Sequence, residues 1–248
     1  MKAREIRKRL RLLADPAKAQ VLRGFFKTGP GEYGEGDRFL GITVPAIRRL
    51  ARELHAVPLP EVSRLLASPV HEERLLALLL FVHAYRNGDD GRKERIYGLY
   101  LRNTRFINNW DLVDLTAPHI AGAHLADRSR RPLDRLAGSG DLWERRIAIV
   151  ATLHFIRRGE FGDTLRIAER LLDDDEDLLH KAAGWMLREV GKRDEALLER
   201  FLRERCASMP RTMLRYAIER FPEPKRRAYL ACGGRRSQPG PRSRGKSA

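Results

Sequence analysis

The sequence predicts an all-α protein: a HEAT-like or armadillo-like α-solenoid of stacked helix pairs with a concave basic groove. Three observations predict it. Apolar residues recur with a helical period almost from end to end. Short breakers separate the segments, and no Asn-Gly hairpin signal lies between alternating apolar runs. Related segments return about every 36 residues, the spacing of a two-helix unit.

Taken in chain order, residues 3–13 and 16–26 predict two helices. Residues 27–43, "KTGPGEYGEGDRFLGIT", form a glycine-rich stretch too long for a simple connector. It lacks the lysine and hydroxyl spacing of a P-loop. A mobile loop touching a ligand fits it better than a nucleotide site. Thr43 then caps a helix with Pro45 near its start, "VPAIRRLAREL". Four amphipathic stretches follow: "EERLLALLLFVHAYRN", "WERRIAIVATLHFIRR", "DTLRIAERLLDD" and "EDLLHKAAGWMLREV". The breakers "NGDDG", "GSGD", "RRGEFGD" and "GKRD" punctuate them.

The repeat shows in register. Glu73-Arg74-Leu75-Leu76-Ala77 aligns with Glu144-Arg145-Arg146-Ile147-Ala148, an offset of 71 residues. His180-Lys181-Ala182-Ala183-Gly184 follows 36 later, and Asn109-Trp110-Asp111-Leu112-Val113 falls halfway between the first two. The small residue at one phase (Ala77, Val113, Ala148, Gly184) lets neighbouring helices approach closely. Beyond Gly184 the register weakens, and "RTMLRYAIERF" is out of step.

Composition bounds the function. Apolar residues are 42% and charged residues 33%, as in a soluble globular protein. No run approaches the ~20 apolar residues of a membrane span, and the charged N-terminus lacks a signal-peptide segment. The two cysteines, Cys206 and Cys232, predict neither a disulfide framework nor a zinc site, and a reducing cytoplasm is expected. Net charge is +16, and arginine supplies 40 of 49 bases. Planar guanidinium suits phosphate, so nucleic acid is the expected partner. Residues 233–248 carry five bases, no acids and abundant Gly, Pro and Ser, which predicts a disordered basic tail beyond a single solenoid domain over 1–232. The body keeps +11 without it.

In a solenoid, equivalent positions stack along one face. Arg74, Trp110, Arg145 and Lys181 share a phase; one turn on come Leu78, Asp114, Ile149 and Trp185. Trp110 and Asp114, at i and i+4, point together, as do Lys181, Trp185 and Arg188. Asn109 and Asp111 serve the start of their helix, whereas Asp114 lies past the first turn, where that benefit fades. A carboxylate weakens phosphate binding, so it must stabilise something positive. A glycosidic bond breaking to an alkylated, cationic base is such a case. A charge ~4 Å away at an effective dielectric of ~20 contributes ~4 kcal/mol, roughly 10³ in rate. Indole faces attract cations and pack on sugars. Among so many cations Asp114 is expected to stay ionised.

At these residues the chain resembles the AlkD-type DNA alkylation repair glycosylases. "FLGITVPAIRRLAR", "FINNWDLVDLTAPHI", "LWERRIAI" and "AAGWMLREV" carry the resemblance, in the family's order, over 39–190. It implies a solenoid that wraps duplex DNA and excises positively charged N3- and N7-alkylated purines without drawing the base into a pocket. It matches Asp114 to the catalytic aspartate, Trp110 and Trp185 to the aromatic residues flanking the lesion, and Arg146 to an active-site arginine. The repeat phase points instead to Arg145. Arg188, Lys181, Arg145, Arg48 and Arg74 are the candidate DNA contacts. A monomeric, cytoplasmic, monofunctional enzyme is expected, associated with the nucleoid when on DNA and needing no metal or cofactor. The alternative is a non-catalytic helical-repeat module that binds nucleic acid or protein.

Overall fold

The computed structural model describes residues 1–232, so the predicted tail, 233–248, lies outside the described residues. The helices are α1 (Ala3–Arg11), α2 (Pro16–Phe25), α3 (Val44–Glu53), α4 (Leu59–Leu66), α5 (His71–Arg86) and α6 (Asp90–Arg102). Then come α7 (Trp110–Asp114), α8 (Ala123–Leu125), α9 (Arg131–Ala137), α10 (Leu142–Ala151) and α11 (Leu153–Arg157). The last five are α12 (Gly162–Arg170), α13 (Asp177–Gly191), α14 (Glu195–Arg205), α15 (Arg211–Ala217) and α16 (Glu223–Cys232). A π-turn, Pro118–Gly122, joins α7 to α8. Among the described residues, extended pairing is limited to one isolated bridge between Arg38 and Val70. The fold is the expected all-α repeat solenoid.

The breakers start helices by supplying caps. Asp89 accepts a hydrogen bond from the Arg92 amide, Asp141 from those of Trp143 and Glu144, and Asp194 from that of Leu197. Each satisfies helix N–H groups that have no intrahelical partner. Thr43 occupies the cap position of α3, but its side chain makes no capping bond. Glu72, reaching across from α5, accepts the amides of Leu40, Gly41 and Ile42 and so fixes the strap that leads into α3. Gly41 has φ +82°, and a Cβ there would overlap the Asp15 carbonyl, so only glycine lets this strap lie against α2.

Two layers result. α3, α5, α7, α10, α13 and α15 pack side by side, while α4, α6, α9 and α14 cover them from behind. The small-residue phase is buried throughout, at Ala77, Val113, Ala148 and Gly184. A Cβ on Gly184 would overlap the Met213 carbonyl, so glycine sets the approach of α13 to α15.

The cysteines correct the expectation from composition. Cys206, at the end of α14, and Cys232, the last residue of α16, form a disulfide across 26 residues. Helix α16 ends at Cys232 and packs back on the preceding helices, with Phe221 and Tyr229 in ring contact. Closing a loop of that length stabilises by about 3.5 kcal/mol in the chain-entropy model.

Candidate active site

Helix α7 is five residues long, too short to hold its shape unaided. Asn109 starts it, its Oδ1 accepting the Trp110 amide at 2.8 Å. Along one face it presents Trp110 and Asp114. The Trp110 ring stacks on Phe26 at 5.3 Å and meets Phe25 edge-on at 5.8 Å. These rings, with Phe39, Ile42 and Ile47, line an apolar cavity of about 470 Å³ whose wall includes Asp114.

Asp114 meets Arg146 of α10 in a fork. Nε donates to Oδ1 at 2.9 Å and Nη2 to Oδ2 at 2.8 Å, while Nη1 donates to the Leu178 carbonyl at 2.5 Å. The Arg146 side chain is 6% exposed and that of Asp114 16%. Burial pushes the Asp114 carboxyl above its ordinary range, and Arg146 opposes that push. Asp114 was expected to stay ionised among many cations; in the structure burial opposes its charge and one guanidinium supports it. The fork uses one acceptor site on each oxygen and leaves the others for a ligand.

Arg145 turns away from this site. Its Nε donates to Asp174 at 2.7 Å and its Nη1 to the Ser139 carbonyl. Between the motif and the repeat phase, the geometry favours the motif: Arg146, not Arg145, meets Asp114. Arg74 corrects the same row more strongly. It is 3% exposed, donates to Asp37 at 2.7 Å and to the Ser68 carbonyl, and is too deeply buried to meet a phosphate.

On α13, Trp185 is half-buried, and its indole N–H donates to Glu189 at 3.2 Å. Lys181 pairs with Asp177 at 2.7 Å and stays 41% exposed. Its hydrogen bond to Asp177 holds the ammonium above the usual lysine range. Arg188 pairs with Glu219. Tyr33, from the glycine-rich stretch, meets the Trp143 ring edge-on at 6.0 Å and comes close to Trp110 and Lys181. Sequence reasoning assigned that stretch a ligand-touching role but did not single out Tyr33, its only aromatic ring before Phe39.

A second cleft, of about 460 Å³, borders Leu115, the residue after Asp114. Arg48, Arg52, Arg86, His83 and His119 line it. Arg86 donates to His119 Nδ1 at 3.1 Å. Burial, then Arg86, Arg157, His154 and Arg48, holds His119 down to about 4, so it is neutral at physiological pH. Among the described residues Arg48, Arg52, Arg86 and Arg157 form no ion pair, whereas Arg7, Arg130, Arg158 and Arg205 do. Arg48 was expected from sequence. Arg52, Arg86 and Arg157 were missed, because nothing in the one-dimensional pattern separates an unpaired arginine from a paired one.

The fold and the site together define a helical-repeat protein with a forked carboxylate–arginine pair beside an aromatic wall and an uncompensated basic cleft. The family model described as DNA alkylation repair enzyme matches residues 6–221, and the chain belongs to that family. A solved structure, "Predicted DNA alkylation repair enzyme from Enterococcus faecalis", is similar to it in fold, with a TM-score of 0.65 and 17% identity. The match covers 85% of this chain and 97% of that one. No curated protein matches significantly.

Proposed function

We propose that the protein is a monofunctional DNA glycosylase that hydrolyses the N-glycosidic bond of positively charged N3- and N7-alkylated purines in duplex DNA. The observation that carries this reading is the Asp114–Arg146 fork beside Trp110, an acidic site next to unpaired arginines. The arginines take phosphates, and the carboxylate faces the one positive charge the substrate carries. As the C1′–N bond breaks, the cationic base leaves neutral and the sugar gains oxocarbenium character. Asp114 stabilises that charge and holds the attacking water. The C1′–O bond forms, Asp114 accepts the water's proton, and an abasic site remains. Arg146 keeps the carboxylate ionised and aimed. Trp110 and Trp185 pack against the lesion nucleotide.

Lys181, held protonated by Asp177, is a poor amine nucleophile, which supports simple hydrolysis over a Schiff-base route. A duplex bearing N7-methylguanine is the test substrate, with released base and strand breaks measured separately. Base above the buffer rate with intact strands supports the reading. No release above buffer leaves the chain a DNA-binding repeat module. The protein is proposed to act as a cytoplasmic monomer, on the nucleoid when bound to DNA, without metal or cofactor.

A further inference from the structure

Behind Trp110 lies a charged cluster that the proposed chemistry does not use. His71, the first residue of α5, is 2% exposed. Its Nε2 lies 2.9 Å from Asp111 Oδ2 and its Nδ1 3.2 Å from Asp37 Oδ2. A carboxylate oxygen can only accept, so both ring nitrogens must donate, and the ring is an imidazolium. Asp111 also accepts the Leu112 amide at 2.9 Å, which ties the ring to the first turn of α7. The His71 ring stacks on Phe39 at 4.7 Å and leans on Phe26 at 4.9 Å, and Phe26 stacks on Trp110. His71 is therefore linked to Trp110 by two indirect routes, through Asp111, Trp110's neighbour in the chain, and through Phe26.

Helix α7 needs such ties. Its far end is held by Arg146 on Asp114 and by Tyr100 and Thr116, whose hydroxyls lie 3.1 Å apart. At its near end, beyond the Asn109 cap, His71 is the side chain that fixes it to α5 and to the glycine-rich stretch carrying Asp37. We propose that His71 is a positioning residue: held between Asp37 and Asp111, its ring sets the orientation of α7 and hence the placement of Trp110 relative to Asp114. The inference rests on the glycosylase reading for its consequence in rate, but not for its consequence in structure.

The groups acting on the ring are Asp37 from the glycine-rich stretch, Arg74 from α5 and Asp111 from α7; Glu72 of α5, Asp114 of α7 and Lys18 of α2 border the same cavity. Glu72 is committed to the Leu40, Gly41 and Ile42 amides. Burial alone would lower the imidazole, but the bonds to Asp111 and Asp37 outweigh it and hold it above 6.5. The clamp is thus complete below the ordinary imidazole pKa and is lost as pH rises through that raised value.

Fluorine NMR of protein labelled with 5-fluorotryptophan tests this, the Trp110 signal being assigned by its loss in Trp110→Phe. The Trp110 signal should titrate with a midpoint above the ordinary imidazole pKa while that of Trp185 stays fixed. In Asp111→Asn the midpoint should move to lower pH, because one of the carboxylates holding the proton is gone. At pH 7, His71→Gln should slow single-turnover release of N7-methylguanine at least tenfold, with affinity for the duplex changed less than twofold. A Trp110 signal indifferent to pH and to Asp111→Asn overturns the proposal, as does a His71→Gln enzyme as fast as wild type. If His71→Gln fails to fold, the Asp111→Asn midpoint decides. If wild type releases no base, the glycosylase reading fails while the NMR result still decides the clamp.

Discussion

Replacing Arg146 with methionine removes three hydrogen bonds at once, two to Asp114 and one to the Leu178 carbonyl. Methionine keeps much of the packing volume, so the loss is mainly electrostatic. Asp114 is then a largely buried carboxylate with no ionic partner. Breaking such a pair from one side costs ~3–5 kcal/mol. At 2–4 °C per kcal/mol for a chain of this size, Tm should fall by roughly 6–20 °C. Urea unfolding followed by circular dichroism gives the value. The double variant Arg146→Met with Asp114→Leu should recover part of the loss, because no charge is then stranded, and the coupling should exceed ~1 kcal/mol. A single-variant cost below ~1 kcal/mol, or strict additivity, would refute the view that the fork is a buried, coupled pair. The same variant tests the chemistry. Burial pushes the Asp114 carboxyl up and Arg146 restrains it, so losing Arg146 raises it further. The carboxylate exists above that pKa and is lost as pH falls through it. The acid limb of base release should therefore move to higher pH in Arg146→Met.

Trp185→Ala should slow base release more than it weakens binding to undamaged duplex. Equal losses in both would assign Trp185 to structure alone. Arg86→Ala should weaken binding about equally across DNA sequences and reduce the slope of log affinity against log salt by about one. An unchanged slope would place the phosphate path away from the Leu115 cleft.

Much of this was legible in the sequence because the repeat imposes local rules. The breakers marked where helices stop and start, and Asp89, Asp141 and Asp194 within them are caps in the structure; the small-residue phase marked the close packing at Gly184. The spacing of Trp110 and Asp114 placed them on one helix face, and the resemblance put Arg146 beside them. What failed did so for physical reasons. Arg74 and Arg145 share Trp110's phase but bond to Asp37 and Asp174, acids 37 and 29 residues away that no helical period connects to them. Asp111 looked like a dipole residue, yet its second oxygen holds His71, 40 residues earlier. Thr43 looked like a side-chain cap, yet its hydroxyl makes no capping bond and only its carbonyl accepts amides of α3. The Cys206–Cys232 bond joins helix ends that meet only once α16 has turned back. Periodicity reports which face a residue shares; long-range pairing decides what that face meets.

The central claim is that Asp114 is the group that assists departure of a cationic base. Its most direct test compares wild type with Asp114→Asn, which keeps the size and one acceptor for Arg146 but removes the charge. Single-turnover release of N7-methylguanine from duplex DNA at neutral pH should fall by about 10³, the rate equivalent of ~4 kcal/mol of lost charge stabilisation. Affinity for undamaged duplex should stay the same or rise slightly, since an anion has left a basic surface. An Asp114→Asn protein that releases base as fast as wild type would contradict the account.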